Sequence, residues 1–104
     1  MKKKKYELRF LPLFENDLTE IVEYISYDLM NPTAAERLVD LVQDAIRRRL
    51  EFPEYFEQYH SVKDRKNPYY RIYVENYTIY YVVIDNIMEV RRIFYYRQNV
   101  HNKL

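Results

Sequence analysis

The run YYRIYVENYTIYYVVIDNIMEVRRIFYY, residues 69–96, decides the fold. It divides into Tyr69–Glu75, Tyr77–Ile84 and Met88–Tyr96, each rich in β-branched and aromatic residues that pack well on a pleated surface. Asn76 and Asp85-Asn86 separate the three at hairpin spacing, which predicts an antiparallel meander. Alternation along the middle strand sends Tyr80 and Tyr81 to opposite faces.

Toward the N-terminus, residues 53–68 show no period and form a polar connector. Before it, Leu38, Leu41, Val42, Ala45, Ile46 and Leu50 recur at helical spacing up to about Glu51. Thr33 and Glu36 match a capping box for that helix, and Arg47-Arg48-Arg49 complement the dipole at its far end. Leu18, Ile21, Val22, Ile25 and Leu29 mark an earlier amphipathic helix over roughly residues 14–30. Asn31-Pro32 breaks the pattern, because proline disfavours helical geometry at the residue before it. The two helices then fold back as a hairpin. Tyr6, Leu8 and Phe10 alternate as the half-buried side of an opening strand, which Pro12 ends. The order β-α-α-β-β-β predicts an α+β domain over residues 1–104: an antiparallel sheet with an N-terminal helical hairpin packed on one face.

Composition narrows the function. Cysteine is absent, which removes disulfides, thiolate metal sites and cysteine nucleophiles and fits a reducing cytoplasm. Glycine is absent too, so neither a phosphate-binding loop nor a dinucleotide fingerprint can form, and left-handed turn positions fall to asparagine. No apolar run is long enough for a membrane helix. The Lys2-Lys3-Lys4-Lys5 run reads as a solvated terminus. The net charge of +1 conceals a division: −7 over residues 6–59 and +4 over residues 60–104, with the other +4 on residues 1–5. A basic sheet over an acidic helical part could meet RNA, DNA or an acidic protein segment.

Arg91, Arg92, Tyr95 and Arg97 on the last strand suit single-stranded nucleic acid, where guanidinium groups pair with phosphate and rings stack on bases. They equally suit a peptide partner, and most of the 13 tyrosines must serve packing. His60 and His101 lie in no ligand spacing, so no metal and no cofactor is expected. If the domain cleaves RNA, it needs Arg, Lys, Tyr or His as acid, base and charge clamp. Arg71, Tyr96 and Arg97 are the catalytic candidates, with His60 in reserve; Lys63, Lys66, Arg91, Arg92, Tyr95 and Gln98 are candidate target contacts.

From Tyr6 through Asn99 the chain resembles the RelE/ParE toxin superfamily of type II toxin–antitoxin systems. Arg9-Phe10-Leu11-Pro12-Leu13 is similar to the stretch before that family's first helix, and Asn31-Pro32-Thr33-Ala34-Ala35 to the inter-helix turn of its Gram-positive branch. Tyr70-Arg71 followed by Asn76-Tyr77-Thr78-Ile79-Tyr80-Tyr81-Val82-Val83 resembles its arginine and "NYxIFYxV" strand. Arg92-Ile93-Phe94-Tyr95-Tyr96-Arg97-Gln98-Asn99 resembles its closing segment. The resemblance implies a cognate antitoxin as partner and either DNA gyrase or ribosome-bound mRNA as target. The sequence departs from it at Tyr96, where the family has glycine, at Gln98 and Asn99, and at Thr78, where ribosome-dependent nucleases carry an arginine. Missing arginines weaken a metal-independent endoribonuclease, and gyrase-directed members also lack the arginine at the Thr78 position. A degenerate toxin fold that binds antitoxin without toxicity is the alternative, and a standalone RNA-binding domain ranks last.

Overall fold

The computed structural model describes residues 4–59, 66–96 and 104. Strand β1 (Glu7–Phe10) leads into helix α1 (Pro12–Glu23), a π-helical turn (Tyr24–Asp28) and helix α2 (Pro32–Arg49); β2 (Gln58–Tyr59), β3 (Tyr69–Val74), β4 (Tyr77–Ile84) and β5 (Ile87–Tyr95) follow. The five strands form one sheet in the order β1-β5-β4-β3-β2. β3, β4 and β5 make the expected antiparallel meander, joined by two-residue turns between Val74 and Tyr77 and between Ile84 and Ile87. The sheet as a whole is mixed, because β1 runs parallel to β5. The α1–α2 hairpin is the crossover that lets these strands run in one direction. β2 is a short addition in the segment read as a featureless connector, paired with β3 through Gln58 and Tyr70.

Both helices lie on one face of the sheet. Phe14, Ile25, Ala35, Leu38, Val42 and Ile46 bury themselves against Tyr70, Ile72, Val74, Ile79, Tyr81, Met88, Val90 and Ile93. The far face is not bare, as a one-sided sheet would leave it: Tyr69, Tyr80, Val82, Phe94 and Leu104 form a second buried cluster there. Arg49 ties α2 to the sheet, donating to the Arg71 carbonyl at 3.0 Å and the Tyr81 hydroxyl at 2.9 Å. Its guanidinium lies 3.5 Å over the Phe56 ring. The helix-end arginine therefore reaches past the macrodipole to a specific set of acceptors.

Four local expectations shift. Proline at N1 has no donor to lose there, so Pro12 begins α1 and Pro32 begins α2. The α2 cap is then Asn31, whose side-chain oxygen accepts from the Ala34 N–H at 3.1 Å, in place of the Thr33 capping box. α1 ends at Glu23, and the wider π turn carries Leu29 off the apolar stripe into solvent. Leu8 and Phe10 of β1 stay substantially exposed, because no further element among the described residues covers that edge of the helical face.

Candidate functional site

The far face carries the charged residues of the meander. Alternation alone would send Arg91 and Arg92 to opposite faces. A β-bulge gives β5 one extra residue at this point, since Tyr80 pairs with Arg92 while Tyr81 pairs with Val90. Both arginines consequently lie on the far face, Arg91 bonded to Glu89 at 2.7 Å and Arg92 4.6 Å over the Phe94 ring. Arg71 occupies the same face, in register with Tyr80, its guanidinium 4.9 Å over Tyr59 and 5.7 Å over Tyr73. Three candidate cations and a row of rings are thus brought together.

Their charge, however, is answered from within the fold. Glu89 is almost wholly buried between Arg9 and Arg91, with Oε1 2.6 Å from Arg9 and Oε2 2.7 Å from Arg91. Burial alone would raise its pKa, but the hydrogen bonds from Arg91 and Arg9 outweigh it and hold the carboxyl below its ordinary value. Asp17 of α1 accepts from Arg92 twice, at 2.8 and 2.9 Å, a bidentate pair. It also accepts the Ile93 N–H at 3.2 Å, on the strand edge left open where β1 stops. The bond to Asp17 raises the Arg92 pKa against the opposing effect of burial. Asp17 and Glu89 are thus internal counter-charges to the strand arginines. The spacing of Glu89 two residues before Arg91 was the available signal.

Of the catalytic candidates, the two that the structure describes, Arg71 and Tyr96, lie apart. Tyr96 lies beyond the Tyr77–Tyr95 pair, its N–H donating to the Asn76 carbonyl at 2.8 Å and its ring beside Tyr95. Arg71 sits in the Tyr80 row, two strands across and about 10 Å along the sheet from the Tyr77 row. Tyr95 belongs to the helical face, edge-to-face with Tyr77, apart from Arg91 and Arg92. Thr78 is buried, so its side chain offers nothing to a ligand. Burial raises the pKa of Tyr80, with Tyr59 adding and Arg71 opposing, which keeps its hydroxyl protonated. Lys66 is exposed just before β3. Lys63, Arg97 and Gln98, with His60 and Asn99, lie outside the described residues. Among the described residues no cluster of His, Cys, Asp or Glu could hold a metal.

Two surfaces escaped the sequence reading. A groove of about 400 Å³ runs between β1, α1 and α2, floored by Leu8, Phe10, Phe14, Leu18 and Val42 and rimmed by Glu15 and Arg47. A second, of about 640 Å³, lies at the end of the helical hairpin between Tyr24, Ile25, Leu29, Tyr77 and Tyr95. The spacing of Leu29 puts it on the apolar stripe of the first helix, and nothing in that spacing marks the π turn that exposes it.

A family model described as the ParE toxin of the type II toxin–antitoxin system parDE matches residues 8–100. No curated protein matches the chain. A solved structure, the chromosomal ParDE TA system from P. aeruginosa, superposes with a TM-score of 0.71 at 12% identity, over 90% of this chain and 98% of that one. That likeness shows a shared fold. With the family model spanning nearly all of its length, the chain belongs to the ParE toxin family of type II toxin–antitoxin systems.

Proposed function

We propose that this chain arrests growth by binding a protein target, DNA gyrase, and is silenced by a cognate antitoxin. One observation carries the choice of gyrase over ribosome-bound mRNA. Of the three arginines that the meander places on the far face, Arg91 and Arg92 are matched by Glu89 and Asp17, and Arg71 lies over the Tyr59 and Tyr73 rings. Phosphoryl chemistry without metal relies on positive charge that is free to meet the developing charge on phosphate. Cations held in carboxylate pairs supply it poorly, and the buried Thr78 adds none.

The antitoxin's place in this reading is the groove between β1, α1 and α2. Its floor of exposed leucine and phenylalanine suits the apolar face of an amphipathic helix, and Arg47 on the rim suits acidic residues beside it.

Induced expression in bacteria tests the target. Gyrase binding predicts growth arrest with a DNA-damage response, and loss of supercoiling by purified gyrase when the chain is added. Defined mRNA ends in primer extension, with supercoiling intact, would overturn it in favour of cleavage. Normal growth with retained antitoxin binding would mark a degenerate toxin fold.

A further inference from the structure

We propose that the end of the helical hairpin is the surface that docks on the target, and that its occupant is a cationic protein surface. The inference rests on the toxin reading above and deepens it. Tyr24, Tyr27, Leu29 and Met30 are 52%, 77%, 55% and 84% exposed, an apolar cluster on a turn where helices usually place polar residues. The turn is held in a costly geometry. The chain passes through a π-helical segment at Tyr24–Asp28, a feature frequent at functional sites. Met30 then takes a φ of 53°, the left-handed region that disfavours residues with a Cβ. Beside the cluster opens the groove of about 640 Å³, where Tyr24 and Leu29 face Tyr77 and Tyr95 across the sheet end. Tyrosine provides rigid contact area at interfaces, and methionine adapts to irregular ones.

Charge selects the occupant. Residues 15–36 hold six carboxylates, Glu15, Asp17, Glu20, Glu23, Asp28 and Glu36, and no lysine or arginine. Asp17 is matched by Arg92, which also feels the charge of Glu20, whereas Glu23 and Asp28 take part in no ion pair among the described residues. Nucleic acid and anionic lipid are excluded by sign, since both would be repelled by this rim. A partner presenting lysine and arginine around an apolar depression satisfies the rim and the cluster together. An enzyme that must hold DNA phosphates carries such cationic surface, which is why this site suits the gyrase reading.

Two surface variants separate the contributions: Glu23→Lys with Asp28→Lys reverses the rim, and Tyr27→Ser with Met30→Ser removes the apolar cluster. Each is expected to keep the wild-type melting temperature and antitoxin binding. Each should weaken binding to immobilised, purified gyrase at least tenfold and abolish growth arrest on expression. The wild-type affinity should fall between 0.1 and 0.3 M salt, and the charge-reversed variant should lose most of that dependence. Arrest and gyrase binding retained by both variants would overturn the docking surface. Loss only in the apolar variant would overturn the cationic partner. A wild-type chain that arrests growth without binding gyrase would sink the gyrase reading alone, and the growth assay would then decide the surface. A wild-type chain that arrests nothing overturns both.

Discussion

Asp17 shows how one side chain can decide what its neighbours do. It holds Arg92 through two hydrogen bonds and closes the open edge of β5 through the Ile93 N–H. Both partners are largely buried, 19% and 13% exposed, so removing the carboxylate leaves a guanidinium and an edge donor without it. Asp17→Ala should cost about 2–4 kcal/mol, read by urea denaturation. A cost below about 0.5 kcal/mol would place the pair among weak surface ion pairs. Tyr81 is a second such residue, fully buried, donating to the Pro53 carbonyl at 2.7 Å and accepting from Arg49. Burial pushes its pKa up to about 12, against the lowering effect of Arg49. A phenol whose folded pKa lies above its unfolded value of about 10 contributes stability that is complete below pH 10 and is lost as pH rises toward 12. Over that window the wild type should lose about 2–3 kcal/mol more than Tyr81→Phe. Parallel alkaline unfolding profiles for the two proteins would contradict the assignment.

At the scale of elements, the glycine-free composition leaves a visible mark on the hairpins. Each two-residue turn puts its first residue at positive φ, Glu75 at 51° and Asp85 at 57°, and not the asparagine that follows. Left-handed backbone costs a residue with a Cβ about 1–2 kcal/mol, part of which glycine returns as unfolded-state entropy. Asp85→Gly should therefore stabilise the protein by about 0.5–1 kcal/mol, seen as a higher denaturation midpoint with unchanged slope. Glu75 is a poorer choice, because its exposed pair with Arg37 would be lost as well. The same elements show what the sequence could and could not reveal. Period-2 alternation in 69–96 and period-3.6 stripes in the helices exposed the core, because burial imposes those periods directly. Alternation correctly parted Tyr80, on the far face, from Tyr81, among the helices. The β5 bulge, the π turn and β2 were illegible, since each interrupts a period without a residue type that signals it. Two consequences for the site followed: Arg91 and Arg92 share a face, and Leu29 is exposed. The parallel pairing of β1 depends on where the helical hairpin delivers the chain, which no local pattern encodes.

Across the whole molecule, the charge division read from sequence turns out to be partly internal. Acidic Asp17 reaches from the helices to neutralise a strand arginine, and Glu89 does so from within the sheet, so the far face is less cationic than its composition. The apolar surfaces, in contrast, sit apart: one groove beside β1 and another at the hairpin end, separated along the length of α1 and lined by different residues. A toxin that must be both silenced and active can use such separation, with inhibitor held at one place and target at another. The β1 groove is the test of that division. Phe10 is 40% exposed there and stacks on Phe14 at 5.4 Å, so a docked helix would bury most of what remains open. Burying an apolar side chain of this size contributes about 1.5–3 kcal/mol when complete; the exposed fraction of Phe10 with that of Leu8 is therefore worth about 1.2–2.3 kcal/mol. Leu8→Ser with Phe10→Ser should therefore weaken antitoxin binding by roughly 7- to 50-fold while leaving growth arrest intact, so that the variant escapes neutralisation. Equal antitoxin affinity in variant and wild type, measured by calorimetry, would move the antitoxin to another surface. Loss of toxicity together with antitoxin binding would show that the two surfaces are not independent.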